Sequence, residues 1–136
     1  MSPVGLTKDA GWQIGVSRTV PHALDDVWAT LVSPAGLALW LGPGATLGEA
    51  PGDPWSSTDG ARGELRSLRP GDRVRVLHRP PGRDADTIVQ VVLRPAAGGG
   101  TSVRVHQERL ADADEREAMR AHWAAVHDRL RALLDG

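Results

Sequence analysis

The 136-residue chain contains no cysteine, no phenylalanine and no tyrosine, and only one lysine, Lys8. Without a thiol it can form no disulfide, no thiolate nucleophile and no zinc–thiolate centre. Without Phe or Tyr, its aromatic surface rests on five tryptophans, at 12, 28, 40, 55 and 123. Sixteen basic residues against seventeen acidic ones leave a net charge of −1. That balance lacks the clustered basic excess of a nucleic-acid groove. No run approaches the ~20 apolar residues of a membrane span. The opening MSPVGLTKDAG lacks the basic-then-apolar order of a secretory signal, so the expected compartment is the cytoplasm. His122 and His127 stand five apart, about 140° around a helix, and so cannot chelate one ion. The glycine of GDPW is followed by neither a helix start nor the lysine of a phosphate loop. No metal and no cofactor is expected, and no motif demands an enzyme.

What is present falls into an ordered pattern. Residues 1–10 read as a flexible tail and 11–136 as one domain, long enough to bury roughly two-thirds of its unfolded surface. In WQIGVSRTV, Trp12, Ile14, Val16 and Val20 alternate as on a half-buried strand that ends at Pro21. From Leu24 the spacing becomes helical: Leu24, Val27, Trp28, Leu31 and Val32 share one face. Ser33-Pro34 then reads as an N-cap followed by Pro at the first helical position, for a second short helix that runs to Leu41 and stops at Gly42-Pro43. The turn signals Asp59-Gly60, Pro70-Gly71, Pro80-Pro81-Gly82 and Gly98-Gly99-Gly100 separate GELRSL, RVRVLH, TIVQVVL and TSVRVHQE. These four predict consecutive hairpins in one antiparallel sheet. After Leu110, Asp112 and Glu115 form a capping-box-like start. Met119, Trp123, Val126, Leu130 and Leu133 continue as the apolar stripe of a terminal helix of five or six turns. A sheet with its helices on one face is an α+β arrangement.

The same residues carry a resemblance. SRTVPHALDDVWATLVSPAGLALWLGP near the start and HQERL…MRAHWAAVHDRLRALL at the end resemble the START-like superfamily, also called SRPBCC. The nearest branch is that of bacterial proteins similar to the heat-shock-protein-90 ATPase activator homologue. The likeness spans roughly residues 12 to 134 and rests on Val20-Pro21, Val27-Trp28, Ser33-Pro34, Trp40 with Gly42-Pro43, and Trp123 with Leu130 and Leu133. It implies a helix-grip fold, in which a curved antiparallel sheet grips the C-terminal helix over an apolar cavity. Members of the superfamily bind lipids, sterols, polyketides or plant hormones, and a few are cyclases or aromatases. This chain departs from the pattern at three places. His122-Trp123 stands where relatives often have Gly-Trp, Gln107 where many have His, and His78 at a position often aromatic.

Strand parity names a pocket. Val74, Val76 and His78 share one face of their strand, opposite Arg73, Arg75 and Leu77. Val103, Val105 and Gln107 point inward, while Arg104 and His106 point to solvent. Val89, Val91 and Leu93 match the inward set of the family. Trp55 is expected near the cavity mouth, Trp40 over one end, and Met119 and Trp123 along the gripped helix. The candidate ligand-binding set is therefore Trp40, Trp55, Val76, His78, Val89, Val91, Val105, Gln107, Met119 and Trp123, apolar walls with His78 and Gln107 as polar groups. Such a lining suits a hydrophobic or amphipathic small molecule. Composition leaves open whether the space is hollow or filled. Two alternatives stand beside binding: a polyketide cyclase- or hydrolase-like enzyme using His78 with Gln107 or an Arg, and a chaperone-regulating or other protein-interaction module. A homodimer is left open.

Overall fold

The computed structural model describes residues 6–7 and 11–136, so most of the expected tail lies outside the described residues. Leu6–Thr7 form a two-residue strand, β1, which pairs with the start of β2, Gly11–Val20. Two short helices follow, α1 (Leu24–Leu31) and α2 (Pro34–Trp40). The strands β3 (Pro54–Ser56), β4 (Arg62–Arg69), β5 (Arg73–Arg79), β6 (Thr87–Pro95) and β7 (Thr101–Leu110) come next. The chain ends in α3, Ala113–Asp135. All the strands lie in one antiparallel sheet of order β1-β2-β7-β6-β5-β4-β3. Consecutive hairpins build the run from β3 to β7, and β2 closes onto β7 by the long-range pairing Trp12↔Leu110 to Val20↔Thr101. This is the helix-grip fold, with α3 packed across β2 and β7 and met by α1 and α2.

Local chemistry accounts for the helix boundaries. Ser33 Oγ accepts from Gly36 N–H at 3.1 Å and donates to the Thr30 carbonyl at 2.6 Å, so one side chain starts α2 and ends the turn after α1. Gly36 is required there, because a Cβ would stand 1.9 Å from the Thr30 carbonyl oxygen. At α3 the Asp112 carboxylate accepts from Glu115 N–H at 2.8 Å, and Glu115 Oε1 accepts from Ala111 N–H at 2.9 Å. This is the reciprocal logic of the capping box, shifted back by one residue.

Two details depart from the sequence reading. Trp55, expected only to precede a hairpin, sits within the edge strand β3. Leu133 is not part of the buried stripe of α3; it is 41% exposed. The buried face runs through Trp123, Val126, His127 and Leu130, with Leu134 packed beside it. The spacing 123, 127, 130, 134 keeps to one side of a 3.6-residue helix, whereas 133 has rotated off it.

Candidate functional site

The inward residues of the sheet divide into two zones. Beneath the middle of α3, Val76, Val89, Val91, Val103 and Val105 are buried in a core that also holds Leu65 and Trp123. A chain of side-chain hydrogen bonds crosses this core. Trp123 Nε1–H donates to Gln107 Oε1 at 2.9 Å, Gln107 Nε2–H to Thr87 Oγ1 at 2.9 Å, and Thr87 Oγ1–H to the His78 carbonyl at 2.8 Å. Gln107, fully buried, therefore serves as a strut joining α3 to β6 and lines no opening at the mouth. A buried amide satisfied on both its carbonyl and its amine sides holds these elements in one arrangement.

At the other zone, toward α2, a cavity of about 310 Å³ opens between four segments. Leu39, Trp40 and Leu41 at the end of α2, with Pro43, form one wall. Asp59 and Ala61 of the β3–β4 turn form a second. His78, Pro80 and Pro81, at the end of β5 and in the loop after it, form a third, and Met119 and His122 of α3 close the fourth. Of the ten residues expected to bind, the structure brings Trp40, His78 and Met119 together here. Trp55 stands directly behind, its ring stacked on His78 with centroids 5.4 Å apart. Val76, Val89, Val91, Val105, Gln107 and Trp123 belong to the packed core instead. Leu39, Leu41, Asp59, Pro80, Pro81 and His122 are additional lining residues. His122 carried a signal in the sequence, since it stands where the family pattern has Gly. Asp59 and the two prolines carried only turn signals.

Each wall has a structural cause. Trp40 is pinned by donating Nε1–H to the Leu31 carbonyl at 3.1 Å, so its indole is tied to the end of α1. Trp55 lies across β4 and donates to the Leu77 carbonyl at 3.0 Å. Gly63 permits this crossing, because a Cβ there would stand 2.7 Å from Trp55 Nε1 and 1.7 Å from the Leu77 oxygen. The loop carrying Pro80 and Pro81 is tied to α3 by a forked ion pair, Arg83 Nε and Nη2 to the two Glu115 oxygens at 3.2 and 2.9 Å. Arg83 also holds the Ala85 and Arg109 carbonyls, which commits four of its five N–H donors.

The polar groups of the cavity differ from those of the core. His22, His106 and His127 each hydrogen-bond to the protein, through Asp135, Gln13 and the Val16 carbonyl. The two histidines that line the cavity have no such partner among the described residues. Nδ1 of His78 is buried without one, and His122, exposed at the rim, makes only an edge-to-face contact with Trp123. Burial pushes the His78 pKa down to about 4, reinforced by His122 and opposed by Asp59. Desolvation, and then the charge of Arg129, lower that of His122. Both shifts favour the uncharged ring. Asp59 is held below the usual carboxylate range chiefly by the Ser57 hydroxyl, with the Ala61 N–H also donating to it. Among the described residues, no group of three or more His, Asp or Glu is placed to hold a metal ion, and no helix is long and apolar enough to cross a membrane.

A larger hollow of about 630 Å³ lies over Pro54, Ser56, Arg62, Glu64, Leu77 and Arg79, and Trp55 lines this hollow rather than the smaller cavity. Trp55 apart, these side chains alternate with the core-facing ones, and the Arg79–Asp86 ion pair at 3.1 Å occupies its border. It is a trough among solvated charges, so volume alone does not make it the better site.

Comparison with known proteins places this geometry in context. The family model described as activator of Hsp90 ATPase homolog 1-like protein matches residues 21–135. A protein of Chromobacterium violaceum is 24% identical, with a TM-score of 0.72 over 91% of this chain and 97% of that one. DynU16, from the dynemicin biosynthetic locus, is 22% identical with a TM-score of 0.76 over 90% of this chain; the match spans 47% of DynU16, about half its length. The Aha1 dimer of Colwellia psychrerythraea is 16% identical, with a TM-score of 0.73 over 90% of this chain and 95% of that one. At these identities the structures share the fold. No curated protein is significantly similar in sequence.

Proposed function

The chain belongs to the activator of Hsp90 ATPase homolog 1-like family, and on that premise we propose that it binds a small apolar or amphipathic molecule at the mouth of the grip, without chemistry. The observation that carries this reading is the cavity formed by Trp40, Met119 and two histidines whose rings have no hydrogen-bond partner among the described residues. Apolar walls with a few convergent polar groups are the ordinary composition of a small-molecule site. The similarity to a protein of the dynemicin biosynthetic locus is in keeping with it. The geometry gives less support to the enzyme alternative. Gln107 is committed to Trp123 and Thr87, so the pair His78 and Gln107 is not available at one reacting centre.

Native mass spectrometry of the purified protein, beside a denatured sample, tests the proposal. A mass excess that vanishes on denaturation supports it, provided that Ala38→Trp, which fills the cavity, abolishes the excess. A clean mass, together with unmoved Met119 methyl and His78 imidazole NMR signals across a panel of fatty acids, flavonoids and polyketide-like phenols, would sink it. The second reading is a protein-interaction role. The family description and the dimeric Colwellia relative favour it. The edge strands β1 and β3, of two and three residues, offer little backbone for edge-to-edge pairing, so such a contact would use other surfaces.

A further inference from the structure

The composition of the cavity narrows the chemistry of its occupant, and the argument rests on the binding reading above. A carboxylate or phosphate ligand taken out of water needs a cation or several donors to replace its hydration. Among the described residues, no Lys or Arg lines the cavity. Arg83, the guanidinium that acts on His78, is committed to Glu115 and two carbonyls, and Arg129, which acts on His122, lies two turns along α3 outside the lining. Among the described residues, the one charged group that does line the space is the Asp59 carboxylate, which repels an anion. It is a poor anchor for a cation as well, being exposed and already accepting from Ser57 and Ala61. What remains unpaired is imidazole. A neutral ring offers one N–H donor and one lone pair; Nδ1 of His78 is buried without a hydrogen bond, and among the described residues neither His78 nor His122 has a hydrogen-bond partner for its ring. A hydroxyl, both donor and acceptor, is the group that complements such a ring without bringing a charge.

We infer that the His78–His122 face of the cavity is a subsite for an uncharged hydroxyl, phenolic or alcoholic, on a compact apolar ring system. At about 310 Å³ the space lies at the lower end of small-molecule sites, roughly 300–1,000 Å³. It admits one or two fused rings, which lie against Trp40, Met119 and the Pro80-Pro81 loop while the hydroxyl meets the imidazoles. Long-chain fatty acids, with a charged head and a long tail, are disfavoured on both counts.

The test uses four probes of one shape at neutral pH: naphthalene, 1-naphthol, 1-naphthoate and 1-naphthylmethylammonium. Binding is followed through the imidazole signals of His78 and His122 and the methyl signal of Met119. The expected order puts 1-naphthol first, about three- to tenfold tighter than naphthalene, the span of one neutral hydrogen bond. Both charged probes fall below naphthalene. His122→Leu, at an exposed position where folding is not at stake, reduces the advantage of naphthol over naphthalene, and His78→Leu reduces it further while naphthalene binding persists. If naphthol and naphthalene bind alike in the parent protein, or a charged probe binds best, the hydroxyl subsite is overturned although the cavity still binds. If none of the four moves any of the three signals, the binding reading itself falls, and the inference with it.

Discussion

The inner face of one sheet presents two zones that treat buried polarity in opposite ways. Under the middle of α3, every polar atom of Gln107, Thr87 and the Trp123 indole is matched to another, and valines fill the remaining space. Toward α2, His78 and His122 have hydrogen-bonding capacity that the described residues do not use. The first zone is built as structure and the second leaves room for an occupant. Yet His78 and Thr87 are register partners on adjacent strands. The difference lies in what covers the sheet: α3 alone in one place, and in the other loop tips, the end of α2 and one flank of α3.

This contrast can be broken at several points. The largest effect is expected from Trp123→Ala, which removes the indole that roofs the packed zone and should lower the free energy of unfolding by about 3–5 kcal/mol in urea titration. A loss below ~1 kcal/mol would place Trp123 at a solvent-filled wall rather than in a core. Next comes pH. The folded-state pKa of His78 is about 4, below the ordinary 6.5, so the unfolded chain takes up the proton first as pH falls. The contribution is complete above pH 6.5 and is lost progressively down to about pH 4, by as much as ~3 kcal/mol before discounting for partial exposure. His122 and His127, both also lowered, act in the same direction. His78→Leu should flatten this slope, and an imidazole titration with a midpoint near 6.5 would contradict it.

A pair of leucine substitutions sharpens the comparison. Gln107→Leu strands the Trp123 N–H and should destabilise by about 1–3 kcal/mol. His78→Leu strands nothing, and at pH 7 should change stability by less than ~1 kcal/mol in either direction, since the orphaned Nδ1 is removed with the stacking on Trp55. Equal losses at the two positions would erase the distinction between the zones. The smallest effect concerns Arg109, where φ is 66° beside the irregularity between Trp12 and Ile14. Arg109→Gly relieves the left-handed backbone and, after the entropy of the more flexible unfolded chain, should stabilise by about 0.5–1 kcal/mol. The Arg83 bond survives it, because that bond goes to the Arg109 carbonyl.

Much of the fold was legible because the relevant signals are local. Ser33-Pro34 starts a helix through its own hydroxyl, Asp112 does the same through its carboxylate, and alternation along RVRVLH puts Val74 and Val76 in the core. The short β3 escaped notice because a three-residue edge strand has too few residues to show a period. Leu133 was assigned to the wrong side because leucine suits the buried face by type, while helical phase had already chosen Leu134. The site was legible in part. Trp40, His78 and Met119 meet at one cavity, whereas Gln107, equal to His78 on grounds of parity and polarity, proves to be a strut.

The sequence by itself determined the order of elements, the faces of the strands, the helix caps and the family, since each depends on neighbours within a turn or a hairpin. Only the tertiary structure decided which inward polar group is satisfied and which is free. That outcome depends on atoms far apart in the chain: Trp123 reaching Gln107, Trp55 crossing Gly63 to stack on His78, and Arg83 tying the Pro80-Pro81 loop to Glu115. A hydrogen bond requires a partner within about 3 Å in a suitable direction, and residue type and spacing along a strand do not specify one.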